Sequence, residues 1–108
     1  MLQMTAKTAI QQMSRRIAKR FKPDKIVLFG SYARGSAGVD SDVDLLVIMP
    51  VNGSRRQMQV DIRCEVHDIP VPKDIIVVTP QEVSDQQKVI GTLIRPAMRE
   101  GKILYARR

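Results

Sequence analysis

The sequence predicts an α/β (α+β) fold: a small mixed β-sheet packed with helices, its elements running in the order αβ(α)βαβαβ. Three observations point there. Short apolar, β-branched runs (25–29, 42–49 and 74–78) alternate with stretches whose apolar residues recur at three- and four-residue steps. Such alternation places helices against one sheet. The 108 residues, 44% of them hydrophobic, hold one domain (1–108) with a packed core and no need of covalent staples. No internal repeat, linker or low-complexity tract interrupts them.

Residues 5–21 predict a helix. Ile10, Met13, Ile17 and Phe21 fall on one face, with Ala6 and Ala9 on or near it, while Arg15, Arg16, Lys19 and Arg20 fall mainly on the other. Thr5 is its N-cap, and Pro23-Asp24 breaks it. Lys25 to Phe29 (KIVLF) is a buried strand that Gly30-Ser31 ends abruptly. Residues 32–41, rich in Gly, Ser and Ala, read as a short helical turn and a loop. Asp42 to Met49 (DVDLLVIM) is the second strand, stopped by Pro50. Asn52-Gly53-Ser54 marks a turn and an N-cap, after which Met58, Ile62, Val66 and Ile69 predict a helix over 55–68, ended by Pro70 and Pro72. Asp74 to Val78 (DIIVV) is the third strand. Thr79-Pro80-Gln81-Glu82 has a cap residue, a proline at the first helical position and an acid three residues on, the start of a capping box. In the last helix Ile90, Leu93, Ile94, Ala97 and Met98 are periodic, but Pro96 belongs in a first turn rather than an interior. That helix therefore begins late, near Thr92, or is kinked. Gly101 caps its C-terminus, and Lys102 to Ala106 (KILYA) is a closing edge strand.

Composition narrows the classes of function. The core is aliphatic, because the chain has two Phe, two Tyr and no Trp. One cysteine, Cys64, excludes an internal disulfide framework and a Cys-rich zinc site, and is compatible with a reducing cytoplasm. No apolar run approaches the roughly 20 residues of a membrane span. The N-terminal MLQMTAKTAIQQMSRR lacks the apolar stretch of a secretory signal. The expectation is a cytoplasmic protein with no membrane role. A net charge of +7 favours polyanions: a nucleotide's phosphates, an acidic protein or nucleic acid. With aromatics scarce for stacking, DNA binding stays open but is not indicated.

Three carboxylates stand where a sheet presents them together. Asp42 and Asp44 are two apart at the head of a strand, so they share a face, opposite in phase to Leu45, Val47 and Met49. Asp74 opens another apolar strand in the same manner. Carboxylates gathered this way repel one another, and a divalent cation relieves the repulsion. Oxygen ligands suit Mg²⁺, which holds phosphates and stabilises charge in a displacement at phosphorus. Zinc is disfavoured, since the softer ligands His67 and Cys64 both lie in the expected helix. Gly30 permits a sharp turn and a close backbone approach. Ser31 adds a hydroxyl beside the amides of a helical turn, whose N-terminus favours anions. Taken singly, each feature reads as an ordinary turn or a solvated strand end; taken together they form a place for a triphosphate on metal ions.

The stretch GSYARGSAGVDSDVDLLV carries Gly-Ser, ten residues, Asp-x-Asp and an apolar strand. It resembles the signature of the DNA polymerase β-like nucleotidyltransferase superfamily, and most of all its minimal nucleotidyltransferases (MNT-type antitoxins). KIVLFGSYARG resembles their first strand and loop, DSDVDLLVIM their metal strand, KDIIVVTPQEV the strand with the third carboxylate, and AMREGKILY the closing segment. The resemblance thus covers most of the chain. It implies a single nucleotidyltransferase domain in which Gly30 and Ser31 contact the triphosphate of ATP. Asp42 and Asp44 would bind Mg²⁺, as two ions, with Asp74 as the third metal-site carboxylate, the group that in relatives helps activate an acceptor hydroxyl. Arg34 matches the family's loop arginine, which either aids the phosphates or pairs with a loop carboxylate.

MNT proteins that this chain resembles are often paired with HEPN proteins as antitoxin and toxin. There they resemble enzymes that move AMP from ATP to a tyrosine of the toxin, silencing its RNase activity. The resemblance therefore implies protein adenylylation and a hetero-oligomer with a HEPN-type toxin. The motif elements use nearly all the chain and leave no acceptor-binding domain, so the acceptor surface comes from a partner, another copy or a shallow edge. Two other readings stand beside this one: an antitoxin that neutralises by contact over a vestigial site, and a small-molecule transferase of the antibiotic-modifying kind. Met4, Met13, Met58 and Met98 read as core or interface filler, and His67 as a helix-surface residue. The run RRIAKRFKPDK reads as a solvated helix face or a dock for an acidic partner, and the terminal ARR as a disordered end.

Overall fold

The computed structural model describes residues 5–107. Helix α1 (Ala6–Phe21) begins at Thr5, whose side chain accepts a hydrogen bond from the Thr8 amide, and turns at Lys22 into β1 (Lys25–Phe29). The one-turn α2 (Ser31–Arg34) follows at once and leads through a loop to β2 (Val43–Ile48). Ser54 caps α3 (Arg55–Val66), which crosses to β3 (Lys73–Val78). Two short helices, α4 (Pro80–Gln86) and α5 (Ile94–Glu100), precede β4 (Lys102–Ala106).

The sheet is mixed, in the order β3-β2-β1-β4. β1 pairs antiparallel with both β2 and β4, and β2 pairs parallel with β3. The parallel pair follows from the α3 crossover, since strands of the same direction need a connection long enough to return the chain. Alternation then divides the apolar residues between two cores. Ile26, Leu28, Val43, Leu45 and Val47 face Met13 and Ile17 of α1 and Ile62 and Val66 of α3. Val27, Phe29, Leu46 and Ile48 face Ile94 and Ala97 of α5. Burial on both sides is why these strands read as continuous apolar runs.

The expected elements are present, with shifted ends. β2 starts at Val43, leaving Asp42 just outside it, and α3 stops at Val66 rather than at 68. The helical region after β3 is two helices where one was expected. Thr92 accepts the Arg95 amide at 3.3 Å, α5 starts at Ile94, and Pro96 falls in its first turn. The late start is therefore the correct alternative. Ile90 and Leu93 lie outside the helix despite their periodic spacing, and both are exposed.

Met13 is buried, and Met58 and Met98 pack against the two cores as filler; Met4 lies outside the described residues. The basic face of α1 is not simply solvated: Arg16 meets Asp68 and Arg20 meets Glu65, each at 2.6 Å, tying α1 to the α3 region. Exposed pairs of this kind contribute about 0–1 kcal/mol each. Of the ARR end, Arg107 is tied down: its amide donates to the Asp24 carbonyl at 2.9 Å and its guanidinium reaches the Asp24 carboxylate at 2.9 Å, while Arg108 lies outside the described residues. Among the described residues no helix is long and apolar enough to cross a membrane.

Candidate active site

The sheet's strand directions gather the acidic residues at one end. β1 ends where β2 begins, because the two are antiparallel, and Phe29 sits opposite Asp44. β3 begins there too, because it runs parallel to β2, and Asp44 sits opposite Asp74. Gly30 and Ser31, Asp42, Asp44 and Asp74 thus come to a common edge from three different strand ends. Asp44 shares the sheet face of Leu46 and Ile48 by alternation, and it is half-buried, whereas Asp42 and Asp74 are exposed.

Gly30 lies directly against Asp44. Its backbone, at φ 74° and ψ −154°, occupies a region open essentially to glycine alone. A Cβ built on it would overlap the Oδ2 atom of Asp44. Its carbonyl accepts the amides of Ala33 and Arg34, both at 3.1 Å, which closes the turn of α2. The glycine therefore sets both the turn and the close approach of backbone to carboxylate.

Electrostatics report the same gathering. The Asp44 carboxyl is pushed up from the ordinary value, first by desolvation, then by the negative charges of Asp74 and Asp42, while Arg34 pulls it down. A cation at this edge would relieve that repulsion. All the donors are carboxylate oxygens, the hard set that Mg²⁺ takes. Among the described residues no three acidic, His or Cys side chains close into a metal cage. An open set fits Mg²⁺, which usually takes one or two carboxylates and completes its shell with water and substrate phosphates.

Two further charges enter the site. The Arg63 guanidinium stands 3.7 Å from the Asp74 carboxylate. Arg34 stands 3.9 Å from Glu100 of α5, so its carboxylate partner is a helix residue rather than a loop residue. Neither Arg63 nor Glu100 carries a local signal in the sequence; the α3 crossover and the packing of α5 on β1 bring them in. His67, at the end of α3, is exposed with Nδ1 2.9 Å from the Cys64 carbonyl oxygen, which agrees with a helix-surface role.

Comparisons with known proteins identify the family and the fold. A family model described as "Nucleotidyltransferase domain" matches residues 10–103. A nucleotidyltransferase-type protein of Sulfolobus solfataricus is 20% identical and superposes with a TM-score of 0.63, covering 92% of this chain and 78% of its own. A toxin–antitoxin structure with AMP-PNP is 19% identical at a TM-score of 0.52, covering 96% of this chain and 76% of its own. A mutant of the toxin–antitoxin MntA-HpeT is 17% identical at a TM-score of 0.55, covering 97% and 76%. At such identities the likeness to solved structures shows the fold. No curated protein matches the sequence significantly.

Proposed function

The chain belongs to the nucleotidyltransferase domain family, and from that premise we propose that it is an antitoxin that transfers AMP from Mg-ATP to a hydroxyl of its partner toxin. The observation that carries this reading is Asp44 facing Asp74 across adjacent strands, with the Gly30 backbone packed on its carboxylate. The likeness to toxin–antitoxin structures, one of them with AMP-PNP, supports the partner and the nucleotide. The acceptor in this proposal is a tyrosine of a HEPN-type toxin.

Asp42, Asp44 and Asp74 would hold one or two Mg²⁺ ions, which neutralise phosphate charge when bound. The chain's own residues do the rest by positioning, which is most of what phosphoryl chemistry requires. Gly30 lets the triphosphate approach the backbone, and the Ser31 hydroxyl donates to a phosphate oxygen. Arg34 adds positive charge beside Asp44. Asp74 accepts the proton of the tyrosine hydroxyl. The phenolic oxygen then bonds to the α-phosphorus, the bond from that phosphorus to pyrophosphate breaks, and pyrophosphate leaves.

The test is the intact mass of a HEPN-type toxin, where one is encoded beside this chain's gene, after incubation with this chain, Mg²⁺ and ATP, with Asp42→Asn/Asp44→Asn as control. A gain of whole AMP units, lost in the control, is the expected result. Full transfer by the double variant would sink the mechanism. The contact-only reading keeps one observation on its side: Arg63 already meets part of the charge of Asp74 at 3.7 Å. That reading expects a stable complex without ATP and no covalent mark. Turnover of a free aminoglycoside would instead favour the small-molecule transferase.

A further inference from the structure

Arg34 and Arg63 flank the acidic edge, and they are held differently. Arg34, on the β1 side, stands 3.9 Å from Glu100, a carboxylate that belongs to α5 and not to the proposed metal set. Arg63 stands 3.7 Å from Asp74 itself. Glu65 and Asp68, the acids that follow Arg63 in the chain, are occupied by Arg20 and Arg16 of α1. Among the described residues, Asp74 is the carboxylate within ion-pair distance of Arg63.

The α3 crossover builds this placement. β3 is an edge strand whose pairing is with β2. On its free edge the Val77 amide donates to Gln59 Oε1 of α3 at 2.8 Å, which fixes the helix along that edge. Arg63 lies four residues further on, so it follows Gln59 on the same side of the helix, one turn nearer the acidic end. It therefore comes to Asp74 from outside the sheet, whereas Asp44 lies on the inner side, opposite Asp74 across the β2–β3 pair. A cation in the last turn of a helix offsets the carbonyl dipoles there, but that role does not require contact with Asp74.

The contact is loose, and more than half of each side chain is open to solvent. Such a pair adds little to stability. Its consequence is for charge. Among the described residues, Asp42 and Asp44 have no cation within ion-pair distance, and Asp74 has one. A divalent ion at Asp42 and Asp44 meets uncompensated negative charge. One that also needs Asp74 must displace Arg63 or share the carboxylate with it. A tight buried pair would lock Asp74; a loose exposed one can be exchanged.

We propose that Arg63 is a positioning residue that reserves Asp74: it holds the third carboxylate toward the outer side of β3 in the resting chain and yields it when nucleotide is bound. Asp42 and Asp44 then take a first ion alone, and Asp74 joins a second only beside nucleotide, whose phosphate oxygens supply the remaining negative charge. The carboxylate that accepts the acceptor's proton is thus committed only once nucleotide is in place. The proposal rests on the metal-site reading above.

The test counts bound Mn²⁺, a paramagnetic ion that takes the same oxygen ligands as Mg²⁺. Electron paramagnetic resonance follows it on the full chain, with and without a non-hydrolysable ATP analogue. The wild type should hold one ion firmly without nucleotide and a second only weakly. Arg63→Gln should tighten the second about threefold to tenfold, because a cation's repulsion at contact range is removed. The same variant should melt as the wild type does without metal, which a merely structural role would not allow. Arg63→Lys keeps the charge on a flexible stem and should restore the weak second ion. In an Asp74→Asn background, Arg63→Gln should leave ion binding unchanged. An equal gain in that background would mean a general field and would overturn the reservation of Asp74. Unchanged ion binding in Arg63→Gln would overturn it too, and would leave the metal-site reading intact. No Mn²⁺ bound by the wild type, even with the analogue, would overturn both readings and make Arg63 the standing substitute for a metal.

Discussion

Gly30 has a conformation and a neighbour that together exclude a side chain. Its φ of 74° and ψ of −154° cost other residues about 1–3 kcal/mol. The space a Cβ would need is held by the Asp44 carboxylate. Gly30→Ala should therefore lower the urea midpoint by an amount corresponding to that cost and weaken Mg-ATP binding with it; a variant of wild-type stability would refute the clash. Asp44 itself titrates above the ordinary 3.8 because it is partly desolvated and faces Asp74 and Asp42. A carboxyl with a raised folded pKa binds more protons folded than unfolded, so metal-free stability declines as pH rises from the ordinary carboxylate value through the raised one. Asp44→Asn should accordingly melt a few °C higher than wild type at neutral pH without metal, and should lose the rise in Tm that Mg²⁺ gives the wild type. A melt indifferent to Mg²⁺ in the wild type would remove Asp44 from a metal site. The Gly-Ser turn and the Asp-x-Asp pair were legible because each is a local spacing. Arg63 and Glu100 were not, since their places depend on where α3 and α5 land.

Caps were the most readable part of the elements, for the same reason of locality. Thr5, Ser54 and Thr79 each accept the amide three residues on, at 3.1 Å. At Thr79 the box is closed by Glu82, which accepts the Thr79 amide at 2.8 Å and also meets Arg55 of α3 at 2.8 Å. The Arg55 guanidinium first, and the Thr79 amide second, hold the Glu82 carboxyl below its ordinary 4.5. A depressed acid contributes stability that is present above the unfolded value and lost as pH falls through the folded one. Glu82→Gln keeps a side chain able to close the box but removes the charge. It should cost about 0.5–1 kcal/mol at pH 7, and denaturant titrations should show the gap closing below pH 4.5. A gap that persists at low pH would mean that geometry, not charge, does the stabilising. Periodicity misled at Ile90 and Leu93, which keep helical spacing with Ile94 and Ala97 yet stand exposed in a loop. Spacing reports which residues could share a face; it does not report whether a core exists to receive them.

For the whole molecule the decisive feature is a sheet with a core on each side. The strands themselves were legible from their apolar runs, but the order β3-β2-β1-β4 depends on pairings between distant residues that no local pattern encodes. Gly101 shows how tightly those pairings are closed. It is the C-cap of α5, as the sequence predicts, its amide donating to the Ala97 carbonyl at 2.9 Å, but its φ of −72° and ψ of 162° are open to any residue. Its reason is space: a Cβ there would overlap the Ala97 carbonyl oxygen and Val27 Cγ1 and crowd the Leu28 carbonyl oxygen. The turn joins α5, which covers one core, directly to β4, which pairs with β1. Relief of the clash must move either the helix off its core or the strand off its partner. Gly101→Ala should therefore cost about 1–3 kcal/mol, as overpacking does, lowering Tm by about 4–8 °C per kcal/mol. Hydrogen exchange should locate the damage, with faster exchange in β4 and in the amides of α5 while α1 and α3 keep their protection. If the variant melts like the wild type and β4 exchanges no faster, the glycine is not holding helix and strand together, and the two cores are less closely joined than their shared strand implies.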